Sequence, residues 1–376
     1  MQPFLKKLEE VLKIYLKETY LPQRRAKTPG WTFHDLKFFA EGVDVVSTAF
    51  TEEREEMAKD YFNRKEFRSA YLLYFTLINA AKVWKCLEEA KPFLKSGPIK
   101  ILDLGCGPAT ASLACSAFFA DRPIEIFGLE QNGRIMRDGF ALWNRMAPPQ
   151  NHRFTIKNIN LYPKSLNAVL RDKRFNLTIA ANFLSELPNQ TQQELSRTLL
   201  EHSEVVTIIE PALQRVTRDL MGLRDRLLEK KEAFVVAPCL HQRRCPMLAE
   251  NPRDWCHFYL DWKCPLLIRQ VDSVIGNKHD YLKMAYMILQ SLSLRTPRNP
   301  LSEDFWRSVS SPLLSKGKKE LILCGACGKL RKIERLKRDR TEANDAFDDI
   351  KRGDIIQWPK GSRVEREDPI KILKKF

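Results

Sequence analysis

The chain has 376 residues, of which 44% are hydrophobic and 29% charged. That balance excludes a disordered protein, and the length exceeds one compact core of ordinary size, so two or three units are expected. A net charge of +16, from 63 basic and 47 acidic residues, implies a polyanionic partner, because Lys and Arg release counterions from phosphate backbones.

The first stretch, MQPFLKKLEEVLKIYLKETYL, spaces Phe4, Leu5, Leu8, Leu12, Tyr15 and Leu16 along one face of a helix. Charges interrupt every apolar run, so it does not read as a secretory signal, and Glu9, Glu10 and Glu18 oppose a mitochondrial presequence. No segment reaches the roughly 18 unbroken apolar residues of a membrane span. The expectation is therefore a cytoplasmic protein without a membrane partner. Residues 1–95 read as a helical region: 52–94 has almost no breakers, and Ala70, Leu73, Leu77, Ala80, Ala81 and Trp84 recur at helical spacing. SGP at 96–98 closes it.

Over residues 96–236 short apolar runs alternate with helices. IKILDLG leads into a helix through Phe119, IEIFGLE into one through Trp143, and RFTIKNI and FNLTIAANFL precede a helix over 190–202 and the run EVVTIIEP. Such alternation predicts an α/β, doubly wound parallel sheet. Residues 237–292 turn to Cys, Pro, Trp and His, with 281–292 fitting a strand or a helix. RTPRNP at 295–300 is a linker or an extended arm. Residues 293–376 form a basic, β-rich unit with the runs ELILCG and DIIQWP, and 316–376 holds 18 basic against 11 acidic residues. No internal repeat is present.

The run Ile99–Leu104 passes directly into Gly105-Cys106-Gly107-Pro108-Ala109-Thr110. Two glycines let the backbone turn sharply and approach a ligand, and the helix that follows offers free N–H groups. Asp103 precedes the loop, and Glu130 ends the second run, where an acid suits two ribose hydroxyls. Cys106 reads as a small residue that fits, with no His or acid nearby in sequence to activate it. DLGCGPA resembles the first motif of class I methyltransferases, a Rossmann-like fold. That likeness implies that Asp103, Gly105, Cys106 and Gly107 line S-adenosylmethionine, that Glu130 takes its ribose, and that Asn158 or Asn160 lies by the adenine. Asn182, ending the fourth run, would face the methyl group.

Nine cysteines in a reducing compartment point to metal or core positions. Cys239, Cys245, Cys256 and Cys264 fall within 26 residues, with prolines beside three of them. Thiolates at such wide spacing suit an iron–sulfur cluster better than a zinc finger, with zinc as the alternative metal. His241 and His257 read as hydrogen-bond partners of the cage. Cys324 and Cys327 form a C-x-x-C in the tail.

Taken together, VVAPC at 235–239, CP at 245–246, DWCHF at 254–258, DLGCGPA, ANFLSELP at 181–188 and AYLLYF at 70–75 resemble the mitochondrial small-ribosomal-subunit assembly methyltransferase-like family and its bacterial relatives. LC followed by G at 323–328 and GDIIQWP at 353–359 fit the same pattern. The resemblance implies a four-iron, four-sulfur cluster on Cys239, Cys245, Cys256 and Cys324, leaving Cys264 and Cys327 as extras. It also implies a role on the small ribosomal subunit and its RNA, without DNA, in a protein that is monomeric off the ribosome. Two departures stand out: the first motif ends in Pro-Ala in place of Pro-Gly, and HFYLDWKCPLL replaces a basic, Arg-rich run after Cys256. Methyl transfer to rRNA is one reading. ANFL lacks the Asn/Asp-Pro-Pro-aromatic motif of base methyltransferases, so a non-catalytic RNA-binding assembly factor is the other.

Overall fold

The computed structural model describes residues 1–27, 30–51, 61–292, 301–359 and 361–376, and the chain divides into two compact units. In chain order come α1 (Gln2–Tyr20), α2 (Gln23–Ala26), α3 (Phe33–Thr51), α4 (Lys65–Ala70) and α5 (Thr76–Ala90). Alternating elements follow: β1 (Ile99–Leu104), α6 (Thr110–Phe118), β2 (Ile124–Glu130), α7 (Gly133–Met146), β3 (His152–Asn158), α8 (Pro163–Leu170), β4 (Phe175–Ala181), α9 (Asn189–His202) and β5 (Ser203–Glu210). Next are α10 (Gln214–Glu229), β6 (Ala233–Ala237), α11 (Pro246–Glu250), β7 (Phe258–Asp261), α12 (Leu266–Ile275) and β8 (Tyr281–Ser291). The chain closes with β9 (Phe305–Ser308), β10 (Leu313–Ser315), β11 (Lys318–Gly325), β12 (Leu330–Leu336), β13 (Ile355–Gln357) and β14 (Lys371–Lys374).

The first unit comprises Met1–Glu186, His202–Ile209 and Asp261–Leu282. Its strands lie parallel in the order β3-β2-β1-β4-β5, a doubly wound α/β arrangement. In β1 every residue except Lys100 is buried, as expected for a parallel strand covered on both faces. Strand order reverses between β1 and β4, so a ligand crevice is expected outside the carboxyl ends of these strands. Phe4, Leu5, Leu8, Leu12, Tyr15 and Leu16 are all buried along α1, as their spacing predicts.

Two features of this unit go beyond the pattern. Tyr15 and Tyr20 of α1 donate to the two oxygens of Asp138 in α7, at 2.6 and 2.8 Å, and Arg68 of α4 stands 3.4 Å from the same carboxylate. A π-turn over Tyr71–Phe75 separates α4 from α5. Single π-turns inside helices are frequent at functional sites.

The second unit comprises Leu187–Glu201, Glu210–Leu260 and Lys283–Phe376. Segment 281–292, for which the pattern allows strand or helix, is the strand β8. It pairs antiparallel with β6 and also pairs with β7. The C-terminal residues build a six-stranded sheet, β10-β11-β9-β13-β14 with β12 on β11, over a core that includes Trp306, Leu323, Phe347, Ile356 and Trp358. Gly325 is obligatory there: a Cβ would lie 2.7 Å from the Trp306 ring. A smaller apolar cluster joins Met221, Cys245, Met247 and Val309, with Cys256 and Cys324 packed against it. The arm expected at 295–300 and the part of the helical stretch at 52–60 lie outside the described residues.

Candidate cofactor pocket and thiol site

The first site forms where β1 runs out. Gly105, Gly107 and Ala109 all take positive φ, at 65°, 50° and 60°, and α6 begins at Thr110. At Gly105 a side chain would meet the Phe183 ring at 3.0 Å, whereas at Gly107 nothing lies within 4 Å. Gly105 is thus required by turn and packing together, and Gly107 opens onto free space.

Two carboxylates brace the loop. Glu130 accepts from the Gly107 N–H at 2.9 Å and the Asn132 N–H at 2.8 Å. Asp103 accepts from the Ser112 N–H at 2.9 Å and hydroxyl at 2.6 Å. Burial pushes Asp103 up to about 6, with a smaller push from the Glu130 charge, and burial also raises Glu130. Buried Cys106 is pushed well above the ordinary thiol range, first by burial and then by Asp103 and Glu130. It is no thiolate nucleophile.

Asp103, Gly105, Cys106, Gly107, Glu130 and Asn182 line one pocket. Asn182 adopts the left-handed conformation, φ 57°, which Asn tolerates better than most residues. Asn158 is not in this lining. It is exposed at the end of β3, where its amide donates to the Glu130 carbonyl at 3.0 Å, and Leu161 takes the wall position. The pocket suits a small polar ligand on one further observation: the Thr110 hydroxyl, in its lining, is buried with no hydrogen-bond partner.

The opposite wall comes from the N-terminal helices and is not among the residues expected from sequence. Tyr61, Phe62, Tyr71 and Asn79 line it. Phe62 meets Tyr71 edge-on at 5.1 Å, and the Asn79 amide donates to the Tyr71 hydroxyl at 3.3 Å. Asn63 ties this wall to the β2–α7 turn: its carbonyl accepts from Arg134 at 2.6 Å and its side-chain oxygen from Asn132 at 3.1 Å. Tyr71 lies in AYLLYF and, in the structure, in the π-turn.

The second site lies wholly in the second unit. Cys239, Cys245 and Cys256 line one cavity with Arg224, Pro238 and Tyr286. Cys324 joins Cys245 and Cys256 in the small apolar cluster, and its sulfur lies 3.7 Å from His241 Nε2. Burial, and then the Cys239 charge, push Cys245 up to about 11. The same two causes raise Cys256, and in Cys324 the Cys256 and Cys245 charges add to them. These thiols therefore repel one another's ionised forms, a conflict that a shared cation relieves. His241 is pushed down to about 4 by burial and by Arg224, and His257 to about 4 by burial and by Arg352. Both are neutral hydrogen-bond partners at pH 7.

Neither Cys264 nor Cys327 is in the cavity lining or the small apolar cluster. Cys264 lies in the first unit, where Asp272 acts on it, and Cys327 packs against the C-terminal core. Among the described residues, no group of three or more His, Cys, Asp or Glu side chains is arranged to hold a metal ion. The donor set nevertheless fits a larger, negatively charged group. Arg307 and Arg352 both act on Cys256, and the buried Nε of each has no hydrogen-bond partner. Among the described residues no helix is long and apolar enough to cross a membrane.

A family model described as mitochondrial small ribosomal subunit Rsm22 matches residues 66–357. No curated protein matches the chain in sequence. Among solved structures, a protein from Listeria monocytogenes, classed as a class I S-adenosylmethionine-dependent methyltransferase, is 12% identical with a TM-score of 0.39. That match covers 80% of this chain and 92% of the other. Magnesium protoporphyrin IX methyltransferase from Synechocystis PCC 6803, solved with bound S-adenosylmethionine, is 10% identical with a TM-score of 0.36, covering 76% of this chain and 97% of the other.

Proposed function

Because this chain belongs to the mitochondrial small ribosomal subunit Rsm22 family, we propose that it binds S-adenosylmethionine in the β1 pocket and acts on small-subunit ribosomal RNA. The observation that carries the cofactor reading is the β1–α6 loop. It combines an open Gly107, a Glu130 that already holds the Gly107 N–H, and a buried Thr110 hydroxyl awaiting a partner. Bound there, S-adenosylmethionine supplies a methyl group on a cationic sulfur. Asp103, Gly105, Cys106, Gly107 and Glu130 hold the cofactor, Asn182 flanks its reactive end, and Asn158 steadies Glu130 from outside.

The four-cysteine site is proposed to hold a four-iron, four-sulfur cluster on Cys239, Cys245, Cys256 and Cys324, with zinc as the alternative metal. The cluster would tie the tail, through Cys324, to the segment carrying the other three ligands. The net charge of +16 supports an RNA partner. The family description names a mitochondrial ribosomal subunit, so the cytoplasmic expectation has no support from that side.

A second reading is a non-catalytic assembly factor that keeps the methyltransferase fold. Burial raises the Cys106 thiol in the pocket lining well above its ordinary range, which argues against thiolate attack on a pyrimidine ring and leaves this reading beside transfer to an amine or hydroxyl. Calorimetry with S-adenosylmethionine tests binding, and methyl transfer to small-subunit RNA from cells lacking the protein tests turnover. Binding with transfer supports the first reading and binding alone the second; no binding removes the cofactor from both.

A further inference from the structure

We propose that Arg224 is a positioning residue of the thiol site, which grips the Cys239 sulfur and, as a buried cation, favours the metal-loaded, anionic state of the four cysteines. This rests on the metal reading above.

Arg224 projects from α10 with its side chain 3% exposed. Its Nε donates to the Cys239 sulfur at 3.2 Å, Nη1 to the Arg243 carbonyl at 2.7 Å, and Nη2 to the His241 carbonyl at 2.9 Å. One planar guanidinium therefore fixes loop 239–243 at three points. Its neighbour Asp225 accepts the Cys245 N–H at 3.0 Å on each oxygen. Two adjacent residues of one helix thus set the positions of two of the four cysteines.

The charge balance points the same way. Arg224, Arg307 and Arg352 act on the thiols, while Asp225 and Asp254 are the carboxylates that act on Arg224 and Arg352. Burying guanidinium groups is costly unless anions accompany them. Asp225 already accompanies Arg224, 2.5 Å from its Nη1, whereas the buried Nε of Arg307 and of Arg352 has no hydrogen-bond partner; thiolates bound to a cluster of net negative charge would supply the remaining anion. Groups that hydrogen-bond to metal ligands commonly change metal affinity about 10- to 100-fold when removed.

The test uses full-length protein purified anaerobically and loaded with iron and sulfide. Arg224→Gln, Arg224→Lys and, as a surface control on the same loop, Arg244→Gln are compared for metal release to a chelator and for reduction potential by dye titration. Arg224→Gln should release metal about 10- to 100-fold faster. Its potential should be more negative, because the cation that offsets the added electron is gone. Arg224→Lys should keep most of the potential yet release metal faster, since an ammonium cannot reach one sulfur and two carbonyls at once. Arg244→Gln should match the parent. Parental release and potential in Arg224→Gln overturn the proposal. Should that variant fail to fold by circular dichroism, parental release in Arg224→Lys overturns it instead. A parent that takes up neither iron nor zinc defeats the metal reading, and the Arg224 role falls with it.

Discussion

The two sites are built on opposite principles. In the pocket, a contiguous six-residue turn does most of the shaping, and its carboxylates are spent on bracing that turn. At the thiol site no stretch of sequence suffices: three cysteines on an irregular segment and one on β11 converge, and α10, the helix that holds two of them, carries none. Backbone geometry makes the first site, whereas side chains reaching across long sequence distances make the second. The contrast teaches that the pocket should survive loss of most side chains around it but not of its glycines, while the thiol site should fail when any one partner is removed.

The largest effect expected on this contrast is at the cysteines. Replacing Cys239, Cys245, Cys256 or Cys324 with Ser should abolish the visible absorption of anaerobic protein and expose the tail to protease, because metal binding contributes directly to folding. Cys264→Ser and Cys327→Ser should leave both unchanged. Loss of metal in Cys264→Ser with Cys324→Ser harmless would return the fourth ligand to the local segment.

Next comes the glycine turn. Gly105→Val forces a β-branched residue into positive φ and against Phe183, so cofactor binding should be lost along with about 1–3 kcal/mol of stability. Gly107→Ala adds a methyl to open space at a strain of about 1 kcal/mol. Calorimetry should show binding weakened well beyond that small cost in melting. Equal affinity in Gly107→Ala and parent would remove the loop from the ligand's surroundings.

A smaller effect follows from Asp103. Burial raises it to about 6 in the folded protein, so it is charged above that pH and neutral below it. A cationic sulfonium ligand should therefore bind more weakly as the pH falls from 7 to 5, and Asp103→Asn should flatten the profile. A parental profile that is level across this window would show that Asp103 serves the loop alone. Smallest per residue is the RNA contact: the logarithm of the affinity for small-subunit RNA should fall linearly with the logarithm of salt concentration. An affinity independent of salt would point to a protein partner.

Legibility in the sequence followed the same divide. The loop, β1 and Glu130 could be read because strand, turn and helix succeed one another within 32 residues of chain. The aromatic wall could not, since Tyr61 and Tyr71 reach the pocket only through tertiary packing and a π-turn that no helical spacing reveals. The convergence of Cys324 with the middle segment was implied by family resemblance, and spacing alone left Cys264 as the nearer candidate. α10 is absent from the elements expected by pattern, although Val216, Leu220, Leu223 and Leu227 fall at helical intervals. With it went Arg224 and Asp225, which hold the loop largely through backbone carbonyls and a backbone N–H that carry no signature in sequence.

The π-turn at Tyr71–Phe75 also fixes a count. A π-turn is in effect one residue inserted into an α-helix, and each helical residue turns the axis by about 100°. Residues before it, such as Arg68 against Asp138, and residues after it, such as Asn79 and Val83 in the pocket wall, occupy faces that an unbroken helix would misalign by that angle. The stretch from Lys65 to Ala90 is therefore intolerant of length change in a way its exposed turns are not. Removing one residue would restore a regular helix and still leave either the Asp138 anchor or the pocket wall facing the wrong direction.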